Sequence, residues 1–392
     1  MGGTSTDVCL IAGGQATVAN ERRMGGQPFR LPTVAVESIG AGGGSLAWVD
    51  PAGALKVGPQ SAGADPGPAG YGQGGSEATV TDADLVLGYL NPEAVLGGRI
   101  RVDRRLSERV LQGLAERFGF DARRMAEGII EVANSNMVRA LCVVSVQKGF
   151  DLRDFTLIAF GGAGPIHAGR LAQQLNIPRI VVPALSSVFS AFGCLVADLR
   201  YDSVQTHMSR LDALAPGSLE EVVAGMVAGL RQRMEEDGYA GEQITWRRSL
   251  DVRYLGQKYE LEVPLPPGGG PIDLARVRAE FDRLHKMNYS YATAEPVECV
   301  NVRVSAVAPT SHPDLPLLVP SSRGEATKGK RRAYFGELGE VATVVYARDR
   351  LAPGQRLVGP GIVEDEWSTT VVYPGHSLEV DQYGNLIMEV GG

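Results

Sequence analysis

The glycines of this chain are placed unevenly, and that placement limits its fold more than any other property: 21 of the 50 lie in the first 100 residues, in clusters that abut apolar, β-branched runs. Clustered glycines let a chain take positive φ and let main-chain N–H groups approach an anion closely, which linker glycine does not need. Gly2-Gly3-Thr4-Ser5-Thr6-Asp7 leads into the run Asp7 to Ala12, and Val34 to Ile39 leads into Gly40-Ala41-Gly42-Gly43-Gly44-Ser45. Phe155 to Phe160 enters Gly161-Gly162-Ala163-Gly164, a helix opens near Pro165 and ends before Asn176, and Ile180 to Val182 is a further strand. Strand, glycine turn, helix, strand is an α/β signature. Tight hairpins alone are the other reading of these glycines.

Leu46 to Asp50 and Ala54 to Val57 flank Pro51-Ala52-Gly53 as a hairpin, and helical spacing marks Arg104 to Phe118 and Ala122 to Lys148. Beyond residue 200 the pattern gives a helix from Ser218 to Asp237, strands between Trp246 and Leu265, and a helix from Leu274 to Asn288. An exposed loop from Pro309 to Arg332 precedes short strands to the end. The expected division is an α/β lobe over 1–200 and a smaller mixed α+β, β-rich domain over 201–392. The longest uncharged run, Ile180 to Ala197, carries Pro183, Ser186, Ser187, Ser190 and Gly193, so it reads as buried chain rather than a membrane span.

A formal net charge of −7 disfavours nucleic acid and anionic membranes as partners. Cys9, Cys142, Cys194 and Cys299 are dispersed without a CxxC pair, and the first residues have no signal-peptide pattern, so a cytoplasmic protein is expected.

Several residues are candidates for chemistry. In the stretch Gly2 to Asp7, main-chain N–H groups and hydroxyls suit phosphate oxygens, and Asp7 suits Mg²⁺ held through water; a capped hairpin is the alternative. Gly161 to His167 is a second candidate, with room for a flat ring or a phosphate near a helix start. It lacks the GxGxxG order of a dinucleotide fold. His167 is either a donor to a ligand or a satisfied histidine at the helix start. Asp65 and Asp82 are each an acid, a base, a Mg²⁺-water holder or a turn or helix cap. Asn134, Asn136 and Arg139 place polar groups on an otherwise apolar helix, facing a cleft or joining an interdomain network. No HxH or HExxH spacing and no GxSxG elbow occurs.

Taken in order, Met1-Gly-Gly-Thr-Ser-Thr-Asp-Val8, Ile39-Gly-Ala-Gly-Gly-Gly-Ser45, Gly58 to Pro68, Val80-Thr-Asp-Ala83, Asn134-Ser-Asn-Met-Val-Arg139, Phe160 to His167, Ala197-Asp-Leu-Arg200 and Gly359 to Glu364 resemble the hydantoinase A/5-oxoprolinase family, which includes subunits of acetone and acetophenone carboxylases. The resemblance spans nearly the whole chain. It implies an actin-like ATPase fold of the sugar kinase, heat-shock chaperone and actin type, with ATP and Mg²⁺ between two lobes. It implies that Gly2 to Asp7 form a phosphate hairpin and Phe160 to His167 the adenosine-side loop; with the reading of the residues, Gly2, Gly3, Thr4, Ser5 and Thr6 are expected on phosphate, Asp7 and Asp82 as catalytic groups with Asp7 on the metal, and Gly161, Gly162 and Gly164 on the nucleoside side.

The implied activity is ATP-dependent hydrolysis of a cyclic amide of hydantoin or 5-oxoproline type, completed by a hydantoinase B-type subunit. A ketone carboxylase subunit and a non-catalytic assembly subunit are the rivals. The family's first phosphate motif does not recur here, so an amino-terminal lobe is expected as a separate chain. Gly70 stands where many relatives have Cys.

Overall fold

A computed structural model describes every residue except 20, 21, 25, 26, 30–32, 94, 97–99, 240, 320–324 and 392. The chain divides into two compact units, one of residues 1–192 with 315–392 and one of residues 193–314.

The first unit contains helices α1 (Val80–Val86), α2 (Arg104–Ala115), α3 (Ala122–Val144) and α4 (Gly164–Leu175). Each starts where the sequence supplies a cap or a proline. Thr79 accepts from the Asp82 N–H to start α1, Asp103 and Asp121 do the same for α2 and α3, and Pro165 occupies the first turn of α4. Asn176 ends α4 at φ 54, the left-handed conformation that Asn tolerates better than most residues. The helices bury Val80, Ala83, Leu111, Met125, Ile129, Ile130 and Ile166 in one core with Phe335, Ile362, Val371 and Tyr373. The run Ala122–Lys148 is long and apolar enough to cross a membrane by length and composition, and half of its most apolar window is buried inside the protein.

Two larger sheets complete this unit. One has five strands in the order Thr156–Ile158, Arg179–Val182, Leu386–Glu389, Ser377–Val380, Arg356–Val358, and only the first pair is parallel. Helix α4 makes the crossover between the parallel strands, as the glycine turn predicts. The other sheet has the order Thr327–Tyr334, Glu340–Ala347, Gly361–Glu364, Thr369–Val372. The predicted hairpin is present as Ser45–Val49 against Leu55–Ser61.

Helix α5 (Phe189–Leu195) spans the division between the units. The second unit is a four-stranded antiparallel sheet, ordered Leu199–Arg210, Val297–Ala308, Thr245–Tyr254, Leu261–Pro264. Helices α6 (Ser218–Glu236) and α7 (Leu274–Tyr289) supply Leu219, Val223, Leu230, Met234, Val277 and Phe281 to its core, where they meet Leu250, Val252 and Val302.

Residues 315–392 pack in the first unit, where Leu386–Glu389 is the antiparallel neighbour of Arg179–Val182. Two expectations change. The run Ile180 to Ala197 is buried only at its start: Leu185, Val188 and Leu195 are exposed, and α5 has no buried residue. The loop expected from Pro309 to Arg332 includes the strand Thr327–Tyr334, while 320–324 lie outside the described residues.

Candidate active site

The Gly2 N–H donates to Ser5 O at 3.1 Å, closing a turn that carries Gly3 and Thr4. The glycine loop after Ile39 lies directly on this turn. Gly43 and Gly44 N–H donate to Gly2 O (2.9 Å) and Gly3 O (2.6 Å), and Ser45 Oγ accepts from Gly42 N at 2.8 Å. A Cβ at Gly42 would stand 2.5 Å from Thr4 N and 2.6 Å from Gly3 C, so only glycine admits this approach. The loop after Phe160 reaches the same place: Ala163 and Gly164 N–H each donate to Met1 O at 3.2 Å, and the Met1 amino group donates to Phe160 O at 3.0 Å. Three segments far apart in sequence are thus joined main chain to main chain.

They form one wall of a cavity of about 1000 Å³. Gly2, Gly3, Gly43, Gly162 and Ala163 line that wall, and Thr81 and Asp84 line it from α1. Thr81 is fixed there because its N–H donates to Gly43 O at 2.7 Å. Leu85, Leu90, Ile100, Val102 and Ile166 supply apolar lining. Tyr71, Gln73 and Asn91 also line it, and the C-terminal strands and their loops add Lys328, Ala347, Asp349, Arg350 and the run Glu364 to Thr369. Lys328 and Arg331 both pair with Glu364.

The residues predicted for chemistry divide. Gly2, Gly3 and Gly162 line the cavity; Gly161 and Gly164 do not, and their N–H groups go to Ser186 O (2.7 Å) and Met1 O. Gly161 is needed for close approach instead, since a Cβ there would stand 2.2 Å from Met1 O. Thr4 and Asp7 are exposed, Asp7 lying on Thr6–Cys9 opposite Ser38, with Ser5 Oγ donating to its Oδ2 at 3.5 Å. Thr6 is buried and its hydroxyl donates to Ala41 O, so that donor is not available to phosphate. Among the described residues no group of three or more His, Cys, Asp and Glu has the arrangement of a metal site.

Asp82 as a catalytic residue is corrected. Its carboxylate is fully buried and accepts from Gly70 N (2.8 Å), Ala69 N (3.3 Å), Thr79 N (3.0 Å), Thr79 Oγ1 (2.7 Å) and Ser107 Oγ (2.6 Å). Both oxygens are occupied in a capping box that fastens the 69–70 turn to α1 and α2, which is the capping role the sequence also allows. Gly70 is required by the same packing: a Cβ there would be 2.5 Å from Ser107 Oγ.

Further along α1, Asp84 is the opposite case. It is 1% exposed and lines the cavity, yet Oδ1 has no hydrogen-bond partner among the described residues. Its Oδ2 faces His167 Nε2 of α4 at 3.8 Å, and His167 Nδ1 meets Asn134 Oδ1 of α3 at 3.0 Å. Burial pushes the Asp84 carboxyl well above the usual carboxylate range and pushes the His167 imidazole down to about 3. The His167 ring is therefore neutral, and the Asp84 carboxyl ionises only above the ordinary carboxylate range.

Residues 1–203 match the hydantoinase/oxoprolinase family and residues 212–389 match that family's C-terminal domain. The chain belongs to this family. It is 38% identical to caprolactamase subunit alpha of Pseudomonas jessenii over 97% of its own length and 56% of that relative's. The crystal structure of the ATP-dependent caprolactamase from the same organism superposes with a TM-score of 0.86 at 36% identity, over 100% of this chain and 58% of that one. A nucleotide-free acetone carboxylase structure gives a TM-score of 0.80 at 28% identity, over 100% of this chain and 57% of that one. Similarity to 5-oxoprolinase 1 of Arabidopsis thaliana is 29% identity over 100% of this chain and 32% of the relative. The chain spans a little over half the length of the caprolactamase subunit and of both solved structures.

Within this hydantoinase/oxoprolinase chain the sequence singled out His167 and Asn134 but not Asp84, their neighbour across the helices. A signal was present: Val80-Thr-Asp-Ala-Asp84 places two acids in a short helix, only one of which can occupy the capping position. Lys328, Asp349, Arg350 and Glu364 to Thr369 carried no local signal, because their place at the cavity depends on strand pairing.

Proposed function

We propose that this hydantoinase/oxoprolinase chain forms an ATP-using lobe of the actin-like type and, within the complete protein, activates a cyclic amide by phosphoryl transfer from ATP to the amide oxygen. The observation that carries the reading is the junction of the Gly2–Thr4 turn and the Gly161–Gly164 loop at Met1 O, which puts both glycine loops on one cavity wall. The likeness to an ATP-dependent caprolactamase supports the same reading. Transfer to the amide oxygen creates a leaving group, which is what hydrolysis of an unstrained lactam lacks.

In this reading the Gly3 N–H and the Thr4 hydroxyl face phosphate oxygens, Gly2 keeps the approach open while its own N–H closes the turn on Ser5 O, and Ser5 reaches phosphate only by turning its hydroxyl away from Asp7. The turn is open enough for this, because nothing lies within 4 Å of a Cβ placed at Gly2 or Gly3 and an anion can come close. Asp7, exposed beside Ser5, would hold Mg²⁺ through water. Gly162 and Ala163 bound the nucleoside side. A hydantoinase B-type partner completes the hydrolysis. The carboxylase alternative uses the same phosphate-facing residues; the higher identity to the caprolactamase subunit favours the amide.

The test is ATP cleavage by the full-length protein with its partner subunit, with caprolactam, 5-oxoproline, hydantoin, or acetone plus bicarbonate as probes. Stimulation by a cyclic amide supports the reading. Stimulation by acetone with bicarbonate alone replaces it with the carboxylase.

A further inference from the structure

We propose that Asp84 is the proton acceptor for the ring N–H of the cyclic amide, at the inner wall of the cavity, and that His167 behind it tunes its readiness to take the proton. The inference rests on the cyclic-amide reading above and deepens it. Phosphorylating an amide oxygen has a proton requirement. As the new P–O bond forms and the bond to ADP breaks, the amide C–O becomes single and the C–N bond double, so a neutral O-phosphorylated product forms only when the N–H proton leaves. A base must stand beside the ring nitrogen.

Asp84 meets that requirement. On the side of α1 the cavity wall is apolar (Leu85, Leu90, Ile100, Val102) with Thr81 and Asp84 set in it, while Asp349, Arg350 and Glu364 to Ser368 make the C-terminal side polar; the apolar part suits the ring of a cyclic amide. Asp84 is a buried carboxyl with an oxygen that no described residue engages. Such groups are uncommon in folded proteins and call for a reason. Behind it, Asn134 Oδ1 accepts from His167 Nδ1, which puts the ring proton on Nδ1 and leaves the Nε2 lone pair toward Asp84 Oδ2. That lone pair, without a hydrogen-bond partner among the described residues and 3.8 Å from Oδ2, opposes a carboxylate and so favours the protonated carboxyl. The arrangement therefore draws the amide proton onto Asp84, in the form that burial also favours.

The other titratable groups facing the pair are Tyr71 in the turn after Pro68, Tyr89 after α1, Arg170 on α4, Tyr373 after Thr369–Val372, and the Met1 amino group. Burial raises the tyrosines, Tyr89 to about 12, which favours their neutral form.

The test uses the full-length protein with its partner, and caprolactam, 5-oxoproline and hydantoin as probes. Wild-type amide-dependent ATP cleavage is expected to rise with pH along a limb above the ordinary carboxylate range. Asp84→Asn, of the same shape, is expected to lose about a hundredfold or more and to lose the limb. His167→Phe is expected to keep the limb but move it to lower pH, a shift that a merely structural role would not give. N-methylcaprolactam, which has no N–H to surrender, is expected to drive no limb of this kind, a measurement on wild type alone that stands even where a variant fails to fold. An Asp84→Asn enzyme with the wild-type rate and profile, an unmoved limb in His167→Phe, or N-methylcaprolactam matching caprolactam in rate and profile each overturns the assignment while leaving the cyclic-amide reading intact. A wild type that no cyclic amide stimulates overturns both.

Discussion

Replacing Asp82 with alanine strands the donors of Gly70, Thr79 and Ser107 in the interior, and leaving such groups unpaired costs about 1–3 kcal/mol each. We expect Asp82→Ala to lower stability by about 3 kcal/mol or more, read in urea melts. Asp7→Ala removes an exposed carboxylate and is expected to stay within about 0.5 kcal/mol of wild type while reducing ATP turnover of the complete enzyme. Unchanged turnover in Asp7→Ala would remove it from the phosphate site. A second residue-scale expectation concerns acid. His167 is held down to about 3 against an ordinary value of 6.5, so between these limits the unfolded chain binds a proton that the native ring refuses. Stability from this group is complete above 6.5 and falls as pH drops through that window, by up to about 1.4 kcal/mol per pH unit. Asp84 has the opposite sign: its pKa is raised, so its contribution is complete in acid and is lost as pH rises through the native value. Melts across the acid window should show a shallower decline in His167→Phe than in wild type.

At the scale of elements, the loop from Gly40 to Ser45 acts as a template for the Gly2–Thr4 turn. We expect Gly42→Ala to cost about 1–3 kcal/mol, because its Cβ would strike backbone rather than a movable side chain. It should also weaken ATP binding by the full-length protein, although residue 42 does not line the cavity; a titration of the folded variant that matches wild type would separate the two effects. This coupling was half legible in the sequence. Strand, glycine turn and helix could be read at Phe155 to Leu175, because caps, prolines and periodicity act within a few residues. The same holds for the hairpin at Ser45–Ser61 and for α2, α3, α6 and α7. Which strand lies beside Arg179–Val182 was not legible, since an apolar alternation fits many partners and register is settled by packing. Asp82 failed as a catalytic candidate for a related reason. Its neighbours Gly70 and Ser107 come from outside its own helix, and they convert an acid in a glycine-rich context into a fastener.

At the scale of the whole molecule, the unit of residues 1–192 and 315–392 is interrupted by the unit of residues 193–314. We expect deletion of 315–392 to abolish cooperative folding of the first unit, because Ile180 and Val182 lose the strand that pairs with them, while the antiparallel sheet of 193–314 keeps its own core. Circular dichroism melts and amide exchange of the truncated chain would check this; a first unit that stays protected would show that its final strands are dispensable. The interruption also bears on how the chain is made. Val182 pairs with Leu386, so at about 5–20 residues per second the ribosome needs roughly 10–40 s after releasing one strand to deliver the other. During translation the middle unit can close first, and the nascent glycine loops wait, open to chaperones, until Leu386–Glu389 has been made.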